Sequence, residues 1–218
     1  MTAAPVTAPR FIFPARPVNG GALDKARTKY GEHGYEPKLN GWRAEVDVPT
    51  RTFWNRHGKL LSIAEEFDEA FAKLQAVSAA SGITRFDCEA LERRHGIGKG
   101  SLFVLDWIPV APAASIPSTL PSIPSPNFTA TWLQRNAALD AHLARLPYTC
   151  QPDAGGLYRP DLVPGTLETW AELQRMNREW GAEFYEGLVA KRLDSPYPLH
   201  HTSASQETPA WMKHRWAF

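Results

Sequence analysis

From Trp42 to Val48 the chain alternates with period two: Trp42, Ala44, Val46 and Val48 fall on one side, Arg43, Glu45 and Asp47 on the other. That alternation marks a strand with one apolar face. It constrains the fold more than any other stretch, because such a face must be packed within a sheet. Pro49-Thr50 turns the chain, and residues 51–56 return as a second strand. Residues 83–91 and 101–108 read as two more, and residues 185–191 and 210–216 as the closing pair. Between them the spacing becomes helical. Ser62 and Glu65 match a capping box, followed by Ile63, Phe67, Ala70, Phe71 and Leu74 at helical intervals, so a helix is predicted to end near Ser81-Gly82. Residues 131–145 and 167–180 carry the same periodicity. The expected class is α+β, with antiparallel sheets flanked by helices.

A chain of 218 residues with 43% hydrophobic residues fits one domain, or one with a small appendage. Residues 1–20 read as a flexible N-terminal arm whose patch Phe11-Ile12-Phe13 is suited to docking, and residues 21–218 as the domain proper. Six prolines between Pro109 and Pro126 remove ladder donors and fix an extended chain, which predicts a surface flap over 109–126. The net charge of +1 means that any nucleic-acid surface must be a local basic patch. Cys88 and Cys150 make no disulfide framework, and no Cys/His group has zinc spacing. No apolar run reaches the roughly 18 residues of a membrane span, so no membrane partner is expected, and a reducing cytoplasm is the default setting. The segment Gly98-Lys99-Gly100-Ser101 matches a phosphate-binding P-loop only superficially. A Walker loop needs Ser or Thr directly after its Lys, and a helix behind it; here a strand follows, so a hairpin turn is expected.

Chemistry concentrates in five segments. Glu36-Pro37-Lys38-Leu39-Asn40-Gly41-Trp42-Arg43 supplies a lysine, an arginine, a carboxylate and a glycine that lets backbone approach a ligand. Asn55-Arg56-His57-Gly58, Asp87-Cys88-Glu89, Glu186-Gly187-Leu188-Val189-Ala190-Lys191 and Trp211-Met212-Lys213-His214-Arg215 follow in that order. Taken singly, each has an ordinary structural reading, such as a solvated carboxylate on a strand or an Asn-Gly hairpin. Their ordered co-occurrence resembles the signature of the covalent nucleotidyltransferases, the superfamily of ATP-dependent DNA ligases, RNA ligases and mRNA capping enzymes. The resemblance runs from about Tyr35 to Trp216.

The resemblance implies a ligase-type nucleotidyltransferase domain (ATP-grasp-like) and assigns roles. Lys38 would be the nucleophile that forms a lysyl-AMP from ATP, with Lys213 and Arg215 as the cations that depress its pKa and neutralise the α-phosphate. Glu36 would accept a hydrogen bond from the adenine amino group, favouring ATP over GTP. Arg43 and Arg56 would hold ribose and later the 5′-phosphate of nucleic acid, and Glu89 the ribose hydroxyl. Leu105 stands where relatives stack an aromatic on adenine. Glu186 would hold Mg2+ or Mn2+. Alternation along its strand puts Lys191 on the opposite face from Glu186, so a nucleotide contact from Lys191 is the weakest of these assignments.

Asn40 departs from the usual Asp of the nucleophile motif, Leu105 from the stacking aromatic, and Arg215 from a second Lys. Relatives continue into an OB-fold domain after the last strand, and this chain reads as a domain without one, acting as a monomer or beside a partner that supplies it. The function implied is an ATP-dependent ligase sealing nicked duplex DNA. An RNA ligase, or an adenylated nick-binding module that does not seal, are the alternatives.

Overall fold

A computed structural model describes residues 11–14, 16–23, 31–92, 96–109, 129–200 and 207–216. The flap expected over 109–126 and the basic residues Arg93 and Arg94 lie almost wholly outside the described residues. In chain order the strands are β1 (Phe13–Pro14), β2 (Arg16–Asn19), β3 (His33–Leu39), β4 (Trp42–Asp47), β5 (Thr52–Asn55), β6 (Arg85–Leu91) and β7 (Ser101–Trp107). They continue as β8 (Arg145–Leu146), β9 (Leu157–Pro160), β10 (Tyr185–Arg192), β11 (Leu199–His200) and β12 (Glu207–Arg215). The helices are α1 (Asp68–Ser81), α2 (Trp132–Asp140) and α3 (Leu167–Trp180).

Two sheets organise the molecule. One has the order β2-β12-β10-β3, the other β5-β4-β6-β7-β9-β8, and β1 pairs with β11. Most pairings are antiparallel, as the α+β reading requires, but β2 runs parallel to β12, and β9 runs parallel to both β7 and β8. Alternation explains the layering. Ala44, Val46, Phe86, Cys88 and Val104 point from the six-stranded sheet into a core shared with Phe67, Phe71 and Leu74 on the α1 side and Leu139 of α2. Tyr35, Leu39, Leu188, Ala190 and Met212 of the four-stranded sheet enter a second core with Leu173 and Met176 of α3, joined by Leu91 and Phe103. Burying a large apolar side chain contributes about 1.5–3 kcal/mol, so these rows hold each sheet to its helix. Side chains from the opposite faces line a single cleft.

Three local expectations are corrected. The Ser62/Glu65 capping box does not form: a 3-10 turn, Ala64–Phe67, precedes α1, and neither start carries a side-chain cap. The turn's amides are met by main chain instead, with Glu66 N donating to Ile63 O at 3.0 Å. A capping box does open α2, where Thr131 and Gln134 bond reciprocally. Second, the polar side of β4 faces protein: Arg85 bridges Glu45 at 3.1 Å and Asp47 at 2.9 Å, all three buried. Third, the arm read over residues 1–20 enters the sheet from Arg16, because β2 can bond the free edge of β12; Gly20 N also donates to Lys213 O at 3.0 Å. Phe11 packs against Trp54 with ring centroids 6.0 Å apart.

Candidate active site

The cleft measures about 460 Å³, and all ten residues singled out from the sequence line it: Glu36, Lys38, Arg43, Arg56, Glu89, Leu105, Glu186, Lys191, Lys213 and Arg215. On β3, Tyr35 and Leu39 face the core, which turns Glu36 and Lys38 into the cleft. On β12, Met212 and His214 are buried, and Trp211, Lys213 and Arg215 take the other side. Antiparallel register brings Lys38 opposite Gly187, Glu36 opposite Val189, and Lys213 opposite Val189 from the far side of β10.

Strict alternation would have sent Glu186 into the apolar core with Leu188 and Ala190. The register of β10 against β3 shifts between Tyr185 and Gly187, and this bulge turns Glu186 into the cleft alongside Val189 and Lys191. The expectation that Glu186 and Lys191 lie on opposite faces is therefore corrected. Gly187 makes the bulge possible. Its φ is +143°, and a Cβ there would meet His214 O at 1.8 Å. Gly41 is also required, since a Cβ would lie 2.8 Å from Ala90 O and 2.9 Å from Glu89 Cγ.

Each cleft carboxylate has a defined partner. Glu186 Oε1 accepts from Lys38 Nζ and, at 2.9 Å, from Arg215. Asp87, part of a sequence motif but given no role there, accepts a two-pronged bond from Arg43 at 2.8 and 2.6 Å and another from Tyr197 at 2.9 Å. Burial opposes the charge on Arg43, but Asp87 more than compensates and holds the guanidinium above its usual value. Glu89 accepts the Gly41 amide at 3.0 Å. Burial pushes its carboxyl up to about 7, against the pull of Lys38 and Arg43. Lys191 Nζ lies 2.8 Å from Glu36 Oε2, donates to Leu105 O at 2.9 Å, and sits 5.1 Å from the Trp211 ring centroid. Glu36 Oε1 is buried without a hydrogen-bond partner, leaving one acceptor at the cleft. Burial lowers the Lys213 ammonium below its usual range, aided by Arg16, Arg215 and Lys38 and opposed by Glu207.

Counting lining side chains, seven Lys and Arg face four carboxylates. The cleft is thus far more basic than a chain of net charge +1, which suits a polyanion. Arg56 stands at the mouth, bonded to His57 at 3.0 Å. Trp42, placed by alternation with the core residues, is instead 40% exposed at the cleft. It occupies the first position of β4, where the packed face has not yet begun. Asn40 turns away from the cleft, its side-chain amide donating to Glu183 O at 2.9 Å. Sequence reading missed Arg16, Asp87 and Trp211 as lining residues. Cross-strand register could have found Asp87, which is one alternation from Glu89, the partner of Arg43. No group of three or more His, Cys, Asp or Glu able to hold a metal occurs among the described residues. Glu186 alone fits a magnesium-type ion only if phosphate oxygens and water complete the coordination, the usual arrangement for that metal.

No family model matches the sequence, and no curated protein does. Solved structures do match in fold. The ligase domain of M. tuberculosis LigD superposes with a TM-score of 0.59 at 16% identity, covering 94% of this chain and 59% of that one. A mycobacterial DNA ligase D complexed with ATP and MES gives 0.55 at 16% identity, covering 94% and 60%. A Lig E DNA ligase described as a minimal scaffold for DNA binding gives 0.52 at 13%, covering 93% and 68%. The chain therefore has the fold of ligase-type nucleotidyltransferase domains, and it spans about three fifths of the length of the mycobacterial structures.

Proposed function

We propose that this chain is the adenylating domain of an ATP-dependent polynucleotide ligase, with Lys38 as nucleophile and nicked duplex DNA as the acceptor. The observation that carries the reading is the seat of Lys38, on a cleft strand with Glu186 bonded both to it and to Arg215 of β12, two residues from the unpaired acceptor of Glu36. Glu36 Oε1 suits the amino group of adenine, whereas guanine would present a carbonyl to an acceptor. Leu105 and Trp211 offer apolar surface for the base.

An amine attacks phosphorus only when neutral, and Glu186, hydrogen-bonded to Lys38, is placed to receive the proton. Attack then forms an Nζ–P bond as the bond from the α-phosphorus to the bridging oxygen breaks and pyrophosphate leaves. Arg215 and Lys213 neutralise charge on the phosphate oxygens. Glu186, with nucleotide phosphates, would hold a magnesium or manganese ion, which supplies further charge neutralisation when bound. Arg43, fixed by Asp87, presents a rigid guanidinium for ribose or the 5′-phosphate, and Arg56 at the mouth faces incoming nucleic acid.

The test is incubation with labelled ATP and magnesium. Label retained after denaturation, located on Lys38 by mass spectrometry, stripped by pyrophosphate and lost in Lys38→Ala, is the expected result. Label on another residue, or undiminished in the variant, would refute the assignment, and stronger labelling by GTP would refute the nucleotide. Comparing nicked DNA, nicked RNA and single-stranded RNA as acceptors then decides the substrate.

A further inference from the structure

Six of the cations lining the cleft were expected from the sequence, and most are held by carboxylates: Lys38 and Arg215 by Glu186, Arg43 by Asp87, Lys191 by Glu36. Arg16 was not expected, and among the described residues no carboxylate holds it. It comes from β2, which runs parallel to β12 in a register that pairs Arg16 with Glu207 and Asn19 with Lys213. The register shifts between Thr208 and Met212, so β12 gains residues relative to β2, and Arg16 and Lys213 come to line the same cleft. Among the described residues neither side chain makes a hydrogen bond or an ion pair. Lys213 has Arg215 and Lys38 on its other side, so the cations form a row leading from the nucleophile toward the edge strand. Crowded like charges of this kind destabilise one another until an anion arrives. Burial and the charges of Arg16, Arg215 and Lys38 hold Lys213 below its usual range, in keeping with such a seat.

We propose that Arg16, acting with Lys213, seats the pyrophosphate released when Lys38 takes the adenylyl group. This rests on the lysyl-AMP reading above. Lys38 and Arg215 flank the α-phosphorus, and Arg16 lies farther along the row, where the β- and γ-phosphates of the same nucleotide extend. The guanidinium fork matches paired phosphate oxygens. In the forward direction Arg16 stabilises the extra negative charge that pyrophosphate takes onto its former bridging oxygen when that bond breaks. In reverse it holds pyrophosphate for attack on the lysyl phosphoramidate, which re-forms ATP and frees the amine.

Two measurements on wild type, Arg16→Gln and Arg16→Lys test the seat. The first is titration of the unadenylated protein with inorganic pyrophosphate, and with AMP, which lacks the distal phosphates. The second is the pyrophosphate concentration that half-saturates removal of label from the adenylated protein. Arg16→Gln should weaken pyrophosphate in both by about tenfold or more, the loss of a hydrogen bond to a charged group, and leave AMP affinity unchanged. Arg16→Lys, which keeps a point charge without the fork, should fall between. Equal pyrophosphate affinity in wild type and Arg16→Gln would overturn the seat, as would equal weakening of AMP and pyrophosphate, which would mark a structural role. A wild type that takes no label but binds pyrophosphate through Arg16 would sink the lysyl-AMP reading and leave the anion seat standing.

Discussion

Lys191 and Glu36 meet across the β3–β10 ladder at 2.8 Å, with side chains only 4% and 2% exposed. Neither belongs to the same cross-strand pair: Glu36 stands opposite Val189, so Lys191 reaches back along its strand to find the carboxylate. The contact fixes one oxygen of Glu36, while the other is buried without a hydrogen-bond partner. Lys191 thus positions Glu36 in the cleft wall.

Lys191→Met should leave a buried carboxylate without its partner and cost about 3 kcal/mol or more of stability, read from urea denaturation. The double substitution Glu36→Gln with Lys191→Met should recover part of that loss, because no charge is then stranded. A single variant as stable as wild type would show that the pair is not coupled.

Gly187→Ala should be more damaging than an added methyl suggests. The backbone at +143° and the 1.8 Å approach to His214 O leave no room for a Cβ, so the bulge must open or the β10–β12 ladder must part. The expected outcome is a lower melting temperature together with loss of covalent label, since Glu186 then loses its aim into the cleft. A melt and a labelling rate close to wild type would disprove the requirement.

Glu186→Ala should slow adenylation by about two orders of magnitude at saturating ATP and magnesium, the usual scale for losing one electrostatic stabiliser. Chelation with EDTA should abolish labelling in wild type. Undiminished labelling in either case would remove Glu186 or the metal from the reaction.

Glu45 predicts a pH dependence of stability. Burial pushes its carboxyl up to about 8, despite Arg85 and the Ile12 amide. In the unfolded chain it ionises near its ordinary value of 4.5. Between these limits the native protein binds the extra proton, so stability is greatest below the unfolded value and is lost as pH rises through about 8. Denaturation at a series of pH values should show Glu45→Gln gaining on wild type from pH 5 to 8, by up to about 1.4 kcal/mol per unit. A constant difference would refute it.

What the sequence disclosed follows from the range over which each force acts. Period-two and helical spacing are local, so β4, β6, β7, α1 and α3 could be placed within a few residues, and Gly82 closes α1 at φ 73° as expected. The site residues were read from motif order, and all ten line one cleft; alternation was read along β4 and β10. It failed at Glu186, where one inserted residue reverses the face and nothing in the local pattern announces the insertion except a glycine. At Glu45 and Asp47 it gave the correct side of β4 but no sign of what buries them, because their partner Arg85 lies on another strand. Arg16 was hidden for a different reason. Among prolines and alanines it has no periodicity of its own, and only the open edge of β12 makes it a strand.

The parallel pairing of β2 with β12 also has a consequence for how the molecule comes to exist. Arg16 and Glu207 are ladder neighbours with nearly the whole sequence between them. Closing so long a loop is entropically unfavourable until other contacts have shortened it, and contacts so distant in sequence slow the search for the native state. The six-stranded sheet and α1, built largely from neighbouring segments, can assemble without that closure. The row of cations is completed only when the edge strand docks, so the cleft takes its full charge from a contact between segments near opposite ends of the chain.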